Sequence, residues 1–136
     1  MSTCPLFGSN SSDIGKLILR ITLGGGMLMH GIAKVMNGIS GIKGMLASNG
    51  LPEFLAYGVY VGEVLAAILV IIGFKTRISA LVMSLTMFFA IFVAFGSSFL
   101  NIGKTGGFVS EAALFYALAS IALMFLGAGK YSLDKN

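Results

Sequence analysis

The sequence predicts an all-α integral membrane protein: a four-helix bundle with a short interfacial helix between its first and second spans. Three observations predict it. Hydrophobic residues make up 57% of the chain and charged residues 10%, at a mean hydropathy of +0.95, which leaves too little polar side chain to face water on all sides. Four apolar runs are separated by Gly-rich or polar stretches. Each run approaches the roughly 20 residues that a bilayer crossing needs. A single membrane domain over residues 1–136 follows.

The first span is expected at residues 14–36, behind Ser11, Ser12 and Asp13, which suit a helix N-terminus and its dipole. It is the least apolar of the four. In the Gly-rich stretch 37–50, Ile39, Ile42, Met45 and Leu46 recur at helical spacing around Lys43, the pattern of a helix lying at the membrane surface. Pro52, after the turn residues Asn49 and Gly50, opens the second span, 52–73. The turn Gly73-Phe74-Lys75-Thr76-Arg77 closes it. The third span, 77–97, lies in a stretch with no charged residue from Ile78 to Gly103. A Gly/Ser/Asn connection leads to Ser110 and Glu111 and to the fourth span, 110–127, after which the chain turns polar.

Composition also excludes. The net charge of +4 comes from basic residues scattered singly between apolar runs, so no nucleic-acid surface is expected. The same residues set orientation. Lys16, Arg20, Lys75, Arg77, Lys130 and Lys135 fall on one side, and Lys34, Lys43 and Lys104 on the other, which predicts cytoplasmic termini. Met1 to Phe7 contains no basic n-region, so no cleaved signal peptide is expected. Cys4 is the one cysteine and has neither a disulfide partner nor a second thiol for a metal.

Ionisable groups within a bilayer turn toward the protein interior, so their angular placement is informative. On the first span Lys16, Arg20, Met27, His30 and Lys34 fall within an arc of roughly 80°, and Glu53, Ala56, Tyr60, Glu63 and Ala67 do the same on the second. Two stripes of opposite sign invite pairing. Arg20 lies roughly 9 Å and Glu63 roughly 15 Å from the cytoplasmic side, an offset that an Arg side chain bridges. An ion pair of Arg20 with Glu63 is therefore expected, serving either helix register or an internal site. His30, Lys34, Glu53 and Glu111 are expected to gather in the outer half. Gly58 and Gly62 form a GxxxG pair on the face opposite Glu63, extended by Ala66. Met83, Met87, Phe88, Phe89, Phe92 and Phe95 read as packing and lipid contact.

No phosphate loop, nucleophile elbow or His/Cys cluster with metal spacing is present in the sequence, and one His cannot supply both axial ligands of a haem. No catalytic residue is assigned and no metal is expected. The candidate internal polar site comprises Arg20, His30, Lys34, Glu53, Tyr60, Glu63 and Glu111.

An ordered set of short motifs resembles the DoxX family of small bacterial and archaeal membrane proteins. The set begins with Leu19-Arg20, His30-Gly31 with Lys34, and Leu46-Ala47-Ser48-Asn49-Gly50-Leu51-Pro52. It continues through Gly62-Glu63, Gly73-Phe74-Lys75-Thr76-Arg77 and Glu111, and ends at Gly127-Ala128-Gly129-Lys130-Tyr131-Ser132-Leu133-Asp134, where Ala128 replaces the usual Pro. The resemblance implies a four-helix membrane bundle of the cytoplasmic (inner) membrane, often associated with redox proteins, and adds Arg77 to the candidate site as a matched polar position. Members resemble a subunit of thiosulfate:quinone oxidoreductase, or are linked to membrane complexes with superoxide dismutase and a sulfurtransferase. The expected function is thus a membrane subunit of a quinone- or thiol/sulfur-linked oxidoreductase system, working with a soluble redox enzyme. No tightly bound cofactor is expected; quinone is the candidate electron carrier, and the bilayer and a second copy of the chain are the other candidate partners. The alternatives are a small proton- or cation-coupled transporter using Glu63, and a membrane scaffold without chemistry.

Overall fold

The computed structural model describes residues 10–134; Cys4, the segment Met1 to Phe7 and Lys135 lie outside the described residues. Within them the chain is all-α. Five helical segments follow in order: α1 (Ser11–Asn37), α2 (Ser40–Ser48), α3 (Glu53–Ile72), α4 (Thr76–Phe95) and α5 (Glu111–Leu126).

Helix α1 begins three residues before the predicted start, because Ser11, Ser12 and Asp13 form its first turn instead of preceding it. Asp13 is also tied to the far end of the chain, accepting a hydrogen bond from the Lys130 backbone N–H at 3.0 Å. The helix ends at Gly38, whose φ of 84° no other residue type adopts as readily, with its N–H bonded to the Lys34 carbonyl. The short helix expected between the first two spans is α2. Leu46 is fully buried and Ile39 nearly so, while Asn49 donates to the Val93 carbonyl of α4.

Helix α3 follows Pro52 as expected but is not uniform. It opens as a 3₁₀ turn (Glu53–Tyr57), passes through one α turn (Gly58–Tyr60), widens into a π turn (Val61–Leu65) and closes as α-helix (Ala66–Ile72). Gly73 in the left-handed conformation stops it, with the Phe74 N–H reaching back to Leu69 O at 2.9 Å. Lys75 takes a positive φ of 48° and Asp134 supports it: the carboxylate accepts the Lys75 and Thr76 N–H groups at 2.7 and 2.8 Å and so caps α4. The polar chain end is thus a strap laid across the turn between α3 and α4.

Each long helix packs on two others, α1 on α3 and α5, and α4 on α3 and α5. Leu23 and Met27 of α1, Ala67 and Val70 of α3, Met83 of α4 and Ala117 and Leu123 of α5 form the main core. Three glycines of α1 set the spacing. A Cβ on Gly24 would lie 2.9 Å from the Ala67 carbonyl, one on Gly31 2.8 Å from the Glu63 carbonyl, and one on Gly26 would collide with the Tyr116 hydroxyl. These approaches fix the antiparallel register of α1 against α3, with Gly24 level with Ala67 and Gly31 level with Glu63. Met83 and Met87 of α4 are buried, whereas Phe88, Phe89 and Phe92 are exposed.

Among the described residues, two helical stretches are long and apolar enough to cross a membrane, Glu53–Ile72 and Thr76–Ser98. The apolar α5 is shorter, at 16 residues. α1 has the length, 27 residues, but Lys16, Arg20, His30 and Lys34 lower its hydropathy.

Candidate functional site

The expected pairing of Arg20 with Glu63 is not formed. The Arg20 guanidinium, only 1% exposed, donates to the carbonyls of Val70 (3.0 Å), Ile71 (2.7 Å), Ala128 (3.3 Å) and Tyr131 (2.8 Å). The first two are among the last carbonyls of α3, which have no partner within their own helix. Register explains the difference: with Gly31 level with Glu63, Arg20 stands about 11 residues, or about 16 Å, from the carboxylate along the helix axis. Arg77 works in the same way, donating to Met124 O and Phe125 O at 2.9 and 3.0 Å at the end of α5. Each arginine sits against the helix-terminating glycine, Gly73 or Gly127, where a Cβ would strike the guanidinium. Both arginines are therefore helix C-terminal caps, and their positive charge complements the helix dipole.

Glu63 pairs instead with Lys34, whose Nζ lies 2.5 Å from Oε2. The Glu63 side chain is 3% exposed and that of Lys34 31%, so the carboxylate is enclosed while the ammonium reaches it from the margin. Three backbone features hold Glu63 in place. The π turn offsets its main chain from the regular ladder, Gly31 lets α1 lie directly on its carbonyl, and Gly62 beside it admits Thr86 of α4 to contact. Such π turns are often found at functional sites.

The ion pair lies between two cavities. One, of about 210 Å³, extends under α2 and is lined by Ile42, Met45, Leu55, Val59, Phe89 and Val93. The other, of about 180 Å³, faces α5 and is lined by His30, Ala113 and Tyr116. Lys34, Glu63, Met87 and Ala90 belong to both. His30 is exposed at this second opening and meets the Tyr116 ring edge-on, with centroids 5.8 Å apart.

The remaining sequence candidates stand apart. Glu53 is exposed in the first turn of α3, and Glu111 is exposed with its carboxylate against Gly107, so the expected outer cluster contracts to His30 and Lys34 joined by Glu63. Tyr60 does not share the Glu63 surface. It packs with Ile39, Leu46, Ala56 and Val93, because the turn between residues 60 and 63 is wider than an α turn. Of the GxxxG pair, Gly62 and Ala66 are buried, whereas a Cβ on Gly58 would meet nothing within 4 Å. Tyr116, Met87 and Ala90 also line the site, and nothing in their sequence spacing marks them. At the surface, Lys43 of α2 donates to the Tyr57 hydroxyl at 2.9 Å, and that bond raises the Lys43 pKa above its ordinary value.

Among the described residues no three of His, Cys, Asp and Glu gather as metal ligands. Lys34, Glu63 and His30 together offer an ammonium, a carboxylate and an imidazole beside two small cavities, a set suited to hydrogen bonding and proton transfer.

Comparison with known proteins agrees with the ordered motifs, since the DoxX family model matches residues 15–96. The chain belongs to the DoxX family. That match covers nearly all of α1 and the whole of α2, α3 and α4, and so includes both Lys34 and Glu63. A protein of Bacillus subtilis (strain 168) named "Putative oxidoreductase CatD" is 36% identical over 83 residues, a match spanning 61% of this chain and 61% of that protein. An "Uncharacterized protein" of Haemophilus influenzae is 33% identical over 122 residues, 87% of each chain. No solved structure matches.

Proposed function

We propose that this DoxX protein is a four-helix membrane bundle, spanning the cytoplasmic membrane with α1, α3, α4 and α5, and that it is the membrane subunit of an oxidoreductase system completed by a separate redox enzyme. Insertion is supported by the outward faces of the helices. Ile18, Ile32, Leu85, Phe92, Leu118 and Phe125 are exposed apolar residues from three of them, and only 33% and 39% of the most apolar stretches of α3 and α4 is buried. A core helix of a soluble protein would be mostly covered; these faces need lipid. Lys16, Lys75, Arg77 and Lys130 at one end support cytoplasmic termini by the positive-inside rule.

The observation that carries the functional reading is the ion pair of Lys34 and Glu63 between two cavities. Lys34, Glu63 and His30 orient a reactant and hold or move a proton, but these side chains do not exchange electrons, so oxidation or reduction at this site uses a cofactor on a partner. The family and the oxidoreductase named among the relatives support the redox class. The carrier would be quinone or a thiol or sulfur compound.

Gentle isolation from the native membrane should bring a soluble redox enzyme with the protein, and Glu63→Gln should abolish quinone-linked turnover while leaving that association intact. Isolation without such an enzyme, or full turnover in Glu63→Gln, refutes the reading. A second reading, a small proton- or cation-coupled transporter, draws on the cavities flanking Glu63. Its mark would be proton or cation flux in liposomes containing this protein alone, lost in Glu63→Gln.

A further inference from the structure

Beyond the ion pair, the cavity under α2 has a feature that the functional reading leaves unused: it continues into a groove on the lipid-facing side of α3 and α4. Leu55, Val59, Thr86 and Phe89 line both the cavity and the groove, and the groove is completed by Gly58 and Leu85. Gly58 has no packing partner that requires a glycine, since a Cβ there would meet open space. The missing side chain keeps the groove clear. The passage thus begins at an apolar helix surface, where Leu85 is 60% exposed, and ends at the one ammonium and carboxylate that line the cavity.

We propose that this passage is a lateral portal, and that the cavity behind it takes an uncharged, ring-sized, lipid-soluble molecule whose carbonyl or hydroxyl oxygen faces Lys34. Size selects the ring. The cavity holds about 210 Å³, and a dry cavity of about 150 Å³ lined by aliphatic and aromatic side chains binds benzene. Its walls of Ile42, Met45, Leu55, Val59 and Phe89 leave a charged ligand no compensation for desolvation on those sides. At the inner end Lys34 has three N–H donors and spends one on Glu63 Oε2, which leaves donors for a ligand oxygen and leaves Glu63 Oε1 to accept from a ligand hydroxyl. Met45 and Ile42 place α2 over the cavity as its roof, so entry runs between α3 and α4 and not through the water-facing end.

The inference deepens the functional reading by placing its reactant, and it rests on the membrane placement of α3 and α4. It is tested without a partner enzyme. The full chain in lipid nanodiscs is titrated with 4-fluoroacetophenone and followed by fluorine NMR, with 4-fluoro-α-methylstyrene, in which C=CH2 replaces C=O, as the isosteric hydrocarbon-type control and empty nanodiscs as background. The expected result is saturable binding of the ketone, about tenfold tighter than that of the hydrocarbon, the scale of one hydrogen bond to a charged donor. Lys34→Met should reduce the ketone to the affinity of the hydrocarbon. Val59→Phe, which fills the cavity without touching the ion pair, should abolish saturable binding even if Lys34→Met does not fold. Absence of saturable ketone binding overturns the proposal, as does equal affinity for ketone and hydrocarbon or binding that survives Val59→Phe. Saturable binding by a protein that brings no redox enzyme from its membrane would remove the partner reading alone.

Discussion

Replacing Lys34 with Met removes the only donor that reaches Glu63 among the described residues, while leaving a carboxylate that is 3% exposed. Breaking one side of a buried pair costs about 3–5 kcal/mol. Lys34 is 31% exposed and its charge is partly screened, so the low end, about 3 kcal/mol, is expected. Glu63→Leu leaves an ammonium on a flexible stem that can turn outward, at a cost of about 1 kcal/mol. The double variant replaces the pair by apolar groups, which is often close to neutral, so the coupling, the double loss less the two single losses, should be about 4 kcal/mol. The assay is a double-mutant cycle of reversible unfolding in mixed detergent micelles. Arg20→Met with Glu63→Leu is the contrasting cycle, and its losses should add within about 0.5 kcal/mol, because Arg20 holds carbonyls of α3 and the chain end and not the carboxylate. Additive losses for Lys34 with Glu63, or strong coupling of Arg20 with Glu63, would refute the assignment of partners.

Gly31→Val forces a side chain onto the Glu63 carbonyl 2.8 Å away, and the resulting overpacking should lower stability by about 1–3 kcal/mol; Gly41→Val, with nothing within 4 Å, serves as the control in the same unfolding assay. Burial works to raise the Asp134 pKa, but the Thr76 and Lys75 N–H groups and the Arg20 charge outweigh it and hold the carboxyl below its ordinary value of 3.8. Its contribution to holding the strap is therefore complete above that value and is lost as pH falls through the depressed one, an acid transition readable by the EPR mobility of a nitroxide attached beforehand to Ser132→Cys that Asp134→Asn should eliminate. For orientation, cysteines placed at Ser40 and Ser132 should label from opposite sides of sealed cells, with Ser40→Cys outside; labelling of Ser40→Cys only after permeabilisation would reverse the topology.

Helix order and most helix limits are legible in the residue pattern alone. Pro52 and Gly73 bound α3, Gly38 ends α1 and the uncharged stretch after Arg77 becomes α4, because these are local effects of backbone conformation and of the solvation of consecutive apolar side chains. That pattern also dictates that Arg20, Lys34 and Glu63 turn inward, since a charged group on an apolar helix must find polar contact there. Which partner each one meets was a tertiary matter. Axial register between α1 and α3 is set by how closely two backbones approach at Gly24 and Gly31, and that register brings Lys34 to Glu63 in place of Arg20, which lies about four helical turns away along α1. Angular placement failed where α3 stops being α-helical: the π turn at Val61–Leu65 carried Tyr60 away from Glu63. The carbonyls that Arg20 and Arg77 cap, and the Asp134 strap that Arg20 and α4 share, join residues far apart in the chain. Their geometry exists only once the helices have packed, so local spacing holds no trace of it.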